Sequence, residues 1–254
     1  ASSIGDTLKG GAGNDTFTFA STTLSSVDTV QGDSGTDILT FSDNGTISDA
    51  DFTNITSVET VTAKANTGTT TISLGAAAAA AGVVTLNAAD NLNAFTLGSG
   101  FTNAVTVALT NGADTITATE YTKALTVTVV EADLVSGDTL TGGTGTDTLK
   151  VTFSGTALTA ADLANVSKFE VISSVTNGIG GAVLADANIV KDGSMTINAT
   201  KNTSAAFTLD AGLELDGSIV YIGGAGVDTV TGGAKIDTIG GGAGADVLTG
   251  NKGV

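Results

Sequence analysis

Residues 223–253 read GGAGVDTVT GGAKIDTIG GGAGADVLT GNKG, and this nine-residue rhythm decides how the remaining sequence is interpreted. Asp228, Asp237 and Asp246 lie nine residues apart, and each stands two residues before a Val, Ile or Leu. Glycine tolerates the positive φ angles of tight turns, whereas the β-branched and apolar residues suit a strand. Each repeat therefore predicts a Gly-rich turn followed by a short strand.

The same rhythm recurs in pairs elsewhere in the chain, with one looser single copy in the stretch NGADTIT. The corresponding aspartates are Asp6 and Asp15, Asp28 and Asp37, Asp138 and Asp147, and the single Asp114. Two nine-residue units would form one turn of a parallel β-roll. We therefore expect the members of each pair on opposite sides, and loops on the same side eighteen residues apart, as Asp228 and Asp246 are.

These stretches resemble the hemolysin-type calcium-binding (RTX) nonapeptide, GGxGxDxUx, in which U is a large apolar residue. The resemblance implies that each calcium ion lies between two loops and is bound by Asp carboxylates and loop carbonyls. The best predicted pair is Asp228 with Asp246, whereas the partner of Asp237 is expected near residue 255. By itself, the NGAD at Asp114 is more typical of an ordinary Asp/Gly turn. The calcium-site residues that the resemblance implies are Asp6, Gly11, Gly13, Asp15, Asp28, Asp37, Asp114, Asp138, Gly143, Gly145, Asp147, Gly224, Gly226, Asp228, Gly233, Asp237, Gly242, Gly244 and Asp246.

Several reactive side chains are missing from the composition. The 254 residues include no His or Cys, all nine basic residues are Lys, and the formal net charge is −17. A catalytic triad, a zinc site, a thiol nucleophile or a bidentate Arg clamp therefore cannot be built. We expect no enzyme activity, because the active sites of enzymes with RTX repeats and of β-helical lyases rely on His, Arg or Tyr, and of these the sequence offers only Tyr121 and Tyr221. The negative charge and the lack of a long apolar stretch predict no nucleic-acid binding and no membrane insertion.

A longer repeat relates the two halves of the chain. The block DLANVSKFEV (162–171) and its earlier counterpart share three polar residues at an offset of 111: Asp51, Asn54 and Glu59 match Asp162, Asn165 and Glu170. The repeat predicts three parts, an N-terminal repeat cap at residues 1–26 and β-repeat units at 27–136 and 137–254. We expect Glu59 and Glu170 to be structural hydrogen-bond acceptors rather than calcium ligands. For Asn54 and Asn165, a buried ladder, a loop brace and a helix cap all remain open.

Short runs between these motifs predict the remaining elements. SDADFTNITS (48–57) and TAADLANVSK (159–168) are expected as short helices with Ser48 and Thr159 as N-caps. Six alanines at 76–81 fit either a short helix or a tight corner. Alternating Val, Ile, Leu and Thr predict many short strands. The predicted fold class is all-β, a parallel β-roll or β-helix solenoid with short helices inserted and Gly/Asp calcium-binding loops.

The nonapeptides, the Thr/Ala/Gly richness and the block DLANVSKFEV (162–171) together resemble the RTX-type S-layer proteins of Gram-negative bacteria. The resemblance implies a calcium-dependent structural protein, exported unfolded by type I secretion, that self-assembles with copies of itself into a lattice on the cell surface. The alternative is a stalk or repeat module of a type I-secreted RTX adhesin, or an extracellular matrix filament. Contact with cell-surface polysaccharide is expected only through a region outside this sequence, which we interpret as a fragment or a processed module.

An ice-binding face is a weaker alternative for the threonine-rich strands. Thr-x-Thr steps occur at 69–71, 115–119 and 126–128, but they do not recur at a fixed nine- or eighteen-residue spacing. A flat ice-binding face needs such steps in register on successive turns, so these threonines are expected on ordinary exposed strand faces.

Overall fold

Every predicted repeat aspartate is followed directly by a short β-strand in a computed structural model, which describes residues 4–63, 68–89 and 92–253. Residues 1–3 of the predicted N-terminal cap lie outside the described residues. The chain divides into two units: residues 1–125 with 142–145 form the first, and residues 126–141 with 146–254 form the second. Both are all-β parallel solenoids with little helix, which confirms the predicted fold class.

The strands of the first unit are short and are separated by turns. They are β1 (Thr7–Ala12), β2 (Thr16–Phe19), β3 (Thr29–Ser34), β4 (Ile38–Phe41), β5 (Thr46–Ile47), β6 (Ile55–Thr56), β7 (Thr60–Thr62), β8 (Thr70–Leu74), β9 (Thr85–Asn87), β10 (Asn93–Leu97), β11 (Val105–Ala108) and β12 (Thr115–Thr117). They pair in parallel in the orders β1-β3-β6, β5-β8-β10-β12 and β2-β4-β7-β9-β11. The strands after Asp6 and Asp15 therefore belong to different sheets, as the nine-residue spacing predicts.

The second unit repeats this arrangement. Its strands are β13 (Leu125–Val130, of which the first residue belongs to the first unit), β14 (Thr139–Thr141), β15 (Thr148–Thr152), β16 (Val166–Ser167), β17 (Val171–Ser174), β18 (Gly180–Ala185), β19 (Ser194–Asn198), β20 (Phe207–Leu213), β21 (Ser218–Ile222), β22 (Thr229–Thr231), β23 (Thr238–Gly240) and β24 (Val247–Thr249). They pair in parallel as β13-β15-β17-β19-β21-β23, β14-β16 and β18-β20-β22-β24. The strand after Asp237 lies in a different sheet from those after Asp228 and Asp246.

The turns of the solenoid differ in length. Asp228 and Asp246, eighteen residues apart, lie on successive turns, as expected. In the first unit the matching separation is 22 residues, between Asp6 and Asp28 and between Asp15 and Asp37. The expectation of an eighteen-residue turn is therefore wrong for the first unit, and in the second unit it also fails between Asp147 and Glu170, which are 23 residues apart. The extra length lies between a nonapeptide pair and the next pair, where no periodic signal exists.

Among the described residues, helical structure is confined to short connections: α1 (Ala76–Ala81) and the 3-10 turns η1 (Asp49–Phe52), η2 (Glu131–Asp133) and η3 (Asp186–Asn188). The alanine run is thus a helix, and Asp49 accepts hydrogen bonds from the Gly75 and Ala78 N–H groups at its start, at 2.7 and 2.9 Å. Instead of the helix predicted at residues 159–168, residues 160–165 form turns, because β16 begins at Val166 before a second helical turn is complete. None of the helices among the described residues has the length and apolar character required to span a membrane.

The 111-residue repeat is reproduced in local hydrogen bonds. Ser48 N and Oγ both donate to Asp51 Oδ2 at 2.8 Å. Thr159 N and Oγ1 donate to Asp162 Oδ2 in the same way, at 2.8 and 2.7 Å. The predicted N-cap pairs are therefore present in both copies, even though only the first copy carries a helical turn.

Thin apolar layers fill the interior of each unit. Along β8, Thr70, Ile72 and Leu74 are buried while the residues between them are half-buried, which is the period-two pattern of a strand with one face inward. The few aromatic residues stack across turns: Phe101 and Tyr121 have ring centroids 5.9 Å apart in the first unit. Burial of one such side chain contributes about 1.5–3 kcal/mol to the stability of the folded state. The loops that carry the carboxylates therefore rest on a rigid support.

Candidate metal centre

The loops before β2 and β4 stack directly on one another in the first unit. Gly13 N donates to Ser34 O at 2.8 Å, and Thr36 N donates to Asn14 Oδ1 at 2.9 Å. Gly35 has a φ of 146°, and a Cβ at this position would collide with the Gly13 carbonyl. Glycine is required here both by its conformation and by the close approach of two backbones.

A carboxylate ladder runs along these stacked loops. Asp15 N donates to Asp37 Oδ1 at 2.8 Å, and Asp6 N donates to Asp28 Oδ1 at 2.8 Å on the other side. Asp37 and Asp28 thus each accept from the backbone N–H of the equivalent aspartate one turn earlier. The prediction that Asp6 and Asp15 take partners from elsewhere, on opposite sides, is consistent with this geometry.

One oxygen in each of two carboxylates has no donor. Oδ2 of Asp15 and Oδ2 of Asp37 are buried and have no hydrogen-bond partner. Each lies against the first glycine of its own loop, Gly10 and Gly32, where a Cβ would collide with the carboxylate. A buried carboxylate oxygen without a donor is costly, whereas a hard cation supplies the missing positive charge. These side chains fit the calcium that the repeats imply.

The C-terminal repeats build the same arrangement in the second unit. Asp228 N donates to Asp246 Oδ1 at 2.9 Å, and Ala243 N donates to Gly224 O at 2.8 Å. Gly242 and Gly244 have φ values of 86° and 125° and lie against the carbonyls of Gly224 and Gly226, respectively. Carboxylate and carbonyl oxygens therefore converge between the two loops, which is the donor set that Ca²⁺ prefers.

Asp237 lies on the other side of the same unit and contacts the turn before it. Its Oδ1 accepts from Ile219 N at 2.8 Å, and its Oδ2 accepts from Gly233 N in its own loop at 2.7 Å. The next stretch, around Gly253, packs against the Lys235 carbonyl. Position 219 carries no repeat aspartate, so no motif indicates this contact, and the calcium partner expected near residue 255 stays a prediction.

The remaining repeat aspartates are buried and hydrogen-bonded. Asp114 accepts from Asn93 N at 2.9 Å and from Asn93 Nδ2 at 3.1 Å, so an Asn replaces the Asp of the preceding turn. Asp138 Oδ2 accepts from Val135 N at 2.8 Å, and Asp147 is fully buried.

In the loop at 142–145, as at Gly35, another backbone segment approaches so closely that only glycine fits. A Cβ at Gly143 would collide with the Tyr121 carbonyl, and one at Gly145 with the Lys123 carbonyl. Gly11 and Gly13, by contrast, are required for their positive φ values of 96° and 112° and have open space around them. Gly233 packs against Glu214, with 3.1 Å between its Cβ position and the Glu214 carbonyl oxygen.

Two glutamates continue the ladder at equivalent positions of the long repeat. Asp37 N donates to Glu59 Oε2 at 2.8 Å, and Asp147 N donates to Glu170 Oε2 at 2.7 Å. The predicted hydrogen-bond role of both glutamates is therefore confirmed. Asn54 Nδ2 donates to Ser26 O at 2.7 Å, so among the alternatives it is a loop brace, and Asn165 makes the same contact with Ser136 O at 3.2 Å.

Asp28 shows the electrostatics of the ladder. Burial raises the pKa of its carboxyl, but hydrogen bonds from Asp6 N, Ser25 N and Ser25 Oγ together outweigh burial, so the pKa lies below its ordinary value of 3.8. Asp28 is 1% exposed and remains ionised at neutral pH. The ladder therefore contains a buried negative charge at Asp28.

Several functional contacts have no signal in the sequence. Tyr221 Oη donates to Asp228 Oδ2 at 2.9 Å, seven residues away. Glu131 accepts from Ser154 N at 2.6 Å and from the Thr156 hydroxyl. None of these pairs belongs to a repeat motif, so only the register of the turns reveals them.

The stacked Gly loops and the carboxylate ladder define a parallel β-solenoid of calcium-binding type. Residues 3–19, 136–150 and 222–254 match the RTX calcium-binding nonapeptide repeat, in four copies. The chain therefore carries RTX repeats, and Ca²⁺ is the ion that such repeats bind. The predicted repeats at Asp28, Asp37 and Asp114 lie outside the matched segments. No curated protein and no solved structure matches the chain.

Proposed function

We propose that this chain is a calcium-dependent structural module of the bacterial cell surface that assembles with copies of itself into an S-layer lattice. The observation that carries the proposal is the ladder itself, above all the buried Oδ2 atoms of Asp15 and Asp37, which have no hydrogen-bond donor. RTX repeat proteins are typically secreted, which supports an extracellular location. The proposal extends that location to a surface lattice.

The ladder gives folding its dependence on calcium. Without a cation, the stacked carboxylates repel one another, and two unit charges about 4 Å apart interact by about 4 kcal/mol at an effective dielectric constant of 20. The chain then remains extended enough for type I secretion. Bound calcium supplies positive charge and takes oxygen ligands. Binding to the folded state alone stabilises it by about 2.7 kcal/mol per site at a 100-fold excess over the dissociation constant.

A scaffold role fits the side chains better than catalysis. The sequence contains no His, Cys or Arg, and the phenol of Tyr221 is buried and bonded to Asp228. The repeated turns instead present rows of threonine on the outward face of the strands, as along β13, where Thr126 and Thr128 alternate with buried Val127 and Val129. We propose that the chain has no enzyme activity and that its working surfaces are its calcium loops and its strand faces.

Circular dichroism and light scattering of the full chain test the calcium dependence. In chelator we expect loss of the β spectrum and monomeric scattering, and on addition of calcium we expect recovery of the spectrum followed by growth of assemblies. The double variant Asp15→Asn/Asp37→Asn should need more calcium for both steps. A complete β spectrum in chelator would contradict the proposal.

Electron microscopy of the calcium-loaded chain tests the lattice. Two-dimensional sheets support an S-layer module, whereas isolated rods or fibres support the alternative of an adhesin stalk or a matrix filament. Monodisperse single chains at saturating calcium would exclude self-assembly. Magnesium at the same concentration is the control, because its octahedral preference fits loop carbonyls and carboxylates poorly.

A further inference from the structure

Three carboxylates outside the nonapeptide aspartates converge in the second unit. Asp186 begins η3, directly after β18, while Glu214 and Asp216 lie in the turn that joins β20 to β21. Leu215 N donates to Asp186 Oδ1 at 2.9 Å, which fixes the two turns to each other. One carboxylate oxygen from each of the three residues lies within 4.8 Å of the other two.

Glu214 is the unusual member of this cluster. It is 0% exposed, and its Oε1 accepts from Gly217 N at 2.7 Å and from Asp216 N at 3.1 Å. Its Oε2 is buried and has no hydrogen-bond partner. Burial and the neighbouring carboxylates of Asp186 and Asp216 raise the pKa of Glu214. A buried carboxylate oxygen that has no donor and lies near two further carboxylates is unfavourable, and a cation would supply the missing positive charge.

We propose that Asp186, Glu214 and Asp216 form a calcium site separate from the nonapeptide loops. Calcium–oxygen distances of about 2.3–2.6 Å place ligand oxygens up to about 5 Å apart, which agrees with the separation in the cluster. The donor atoms are all carboxylate oxygens, which favours a hard cation over zinc or copper. Asp186 is exposed and Asp216 is half-buried, so an ion can reach the cluster from solvent.

The position of this site explains an irregularity of the repeats. The loop that carries Asp237 stacks on the turn around Glu214, since Ala234 N donates to Glu214 O at 2.9 Å and Ile219 N donates to Asp237 Oδ1 at 2.8 Å. That turn has no nonapeptide of its own. A cation held by Glu214 and Asp216 fixes the surface on which the next repeat rests, so the site supports the start of the C-terminal repeats.

Calcium content of the full chain tests the site directly. Calcium bound per chain is measured after gel filtration in low calcium, for the wild type, Asp216→Asn and Asp210→Asn. Asp210 is the matched control, because it is exposed on β20 near the cluster and accepts from Gly212 N at 2.9 Å. We expect Asp216→Asn to lose one ion per chain and Asp210→Asn to lose none. An unchanged content in Asp216→Asn would overturn the site.

Glu214→Gln supplies a second test that a purely structural role would fail. In saturating calcium the variant lacks a ligand, so its urea midpoint should fall below that of the wild type. As the calcium concentration is lowered toward the threshold for folding, the site empties in the wild type as well, and the difference between the two midpoints should shrink or reverse, because the variant lacks the buried charge. A difference between the midpoints that does not depend on calcium concentration would overturn the proposal. This test is independent of lattice assembly, because the urea midpoint measures unfolding of the single chain.

Discussion

Tyr221 Oη donates a hydrogen bond of 2.9 Å to Oδ2 of Asp228, a carboxylate with no exposed surface. The other oxygen of Asp228 accepts from Phe207 N at 2.9 Å, so the side chain is held on both sides. Burial and the hydrogen bond to Asp228 raise the pKa of the Tyr221 phenol, which keeps it protonated as a donor. The best predicted calcium pair is thus positioned by a residue that no repeat motif includes.

Tyr221→Phe should destabilise the chain by about 1.5–3 kcal/mol, because the lost hydrogen bond goes to a charged acceptor. Urea unfolding in the presence of calcium measures this loss. A double-mutant cycle with Asp228→Asn isolates the contact, and the two losses should not be additive. Additive losses would show that the Tyr221–Asp228 contact contributes nothing of its own.

Asp246→Asn should weaken calcium binding about tenfold or more, since the neutral amide keeps an oxygen for Asp228 N but loses the charge. Isothermal titration with calcium measures the change in the dissociation constant. Asp210→Asn is again the exposed control in the same unit. Equal titration curves for both variants would contradict a role of Asp246 in calcium binding.

Gly35→Ala should cost more stability than Gly155→Ala, although the two glycines have nearly equal φ values of 146° and 149°. A Cβ at Gly155 meets no atom within 4 Å, whereas one at Gly35 collides with the Gly13 carbonyl. Backbone strain alone costs about 1–3 kcal/mol, and the collision adds to it at Gly35 only. Thermal unfolding in the presence of calcium measures the stability lost in each variant. Equal losses for Gly35→Ala and Gly155→Ala would show that the loops do not stack closely.

Glu131→Gln should remove a contribution to stability that depends on pH. Burial raises the pKa of Glu131, but hydrogen bonds from Ser154 N, the Thr156 hydroxyl and Ser154 Oγ outweigh it, so the pKa lies below its ordinary value of 4.5. The folded state therefore favours the ionised form, and the contribution is complete above pH 4.5 and declines as the pH falls below it.

The difference in unfolding free energy between wild type and Glu131→Gln should be about 1–3 kcal/mol at neutral pH and should shrink toward about pH 3. Glu120→Gln, at an exposed position, is the matched control and should show little difference at any pH. A difference for Glu131→Gln that stays constant over this range would show that the carboxylate charge has no role.

The nonapeptide spacing predicted the strands and their alternation between sheets, because both follow from Asp and Gly positions in one short motif. The 22-residue turns of the first unit could not be predicted, since residues 19–28 carry no periodic pattern. Glu59 was recognised from the long repeat, but its contact with Asp37 depends on that turn length. The cluster of Asp186, Glu214 and Asp216 depends on a contact across 29 residues, which no local motif records.

The bonds from Asp15 N to Asp37 and from Asp37 N to Glu59 give the ladder a polarity. In both bonds the backbone N–H of one turn donates to a carboxylate that belongs to the following turn. During synthesis or export from the N-terminus, a turn therefore emerges with its amide still bonded to water and becomes complete only when its successor arrives. Growth in the opposite direction would bring each of these amides to a carboxylate that is already in place.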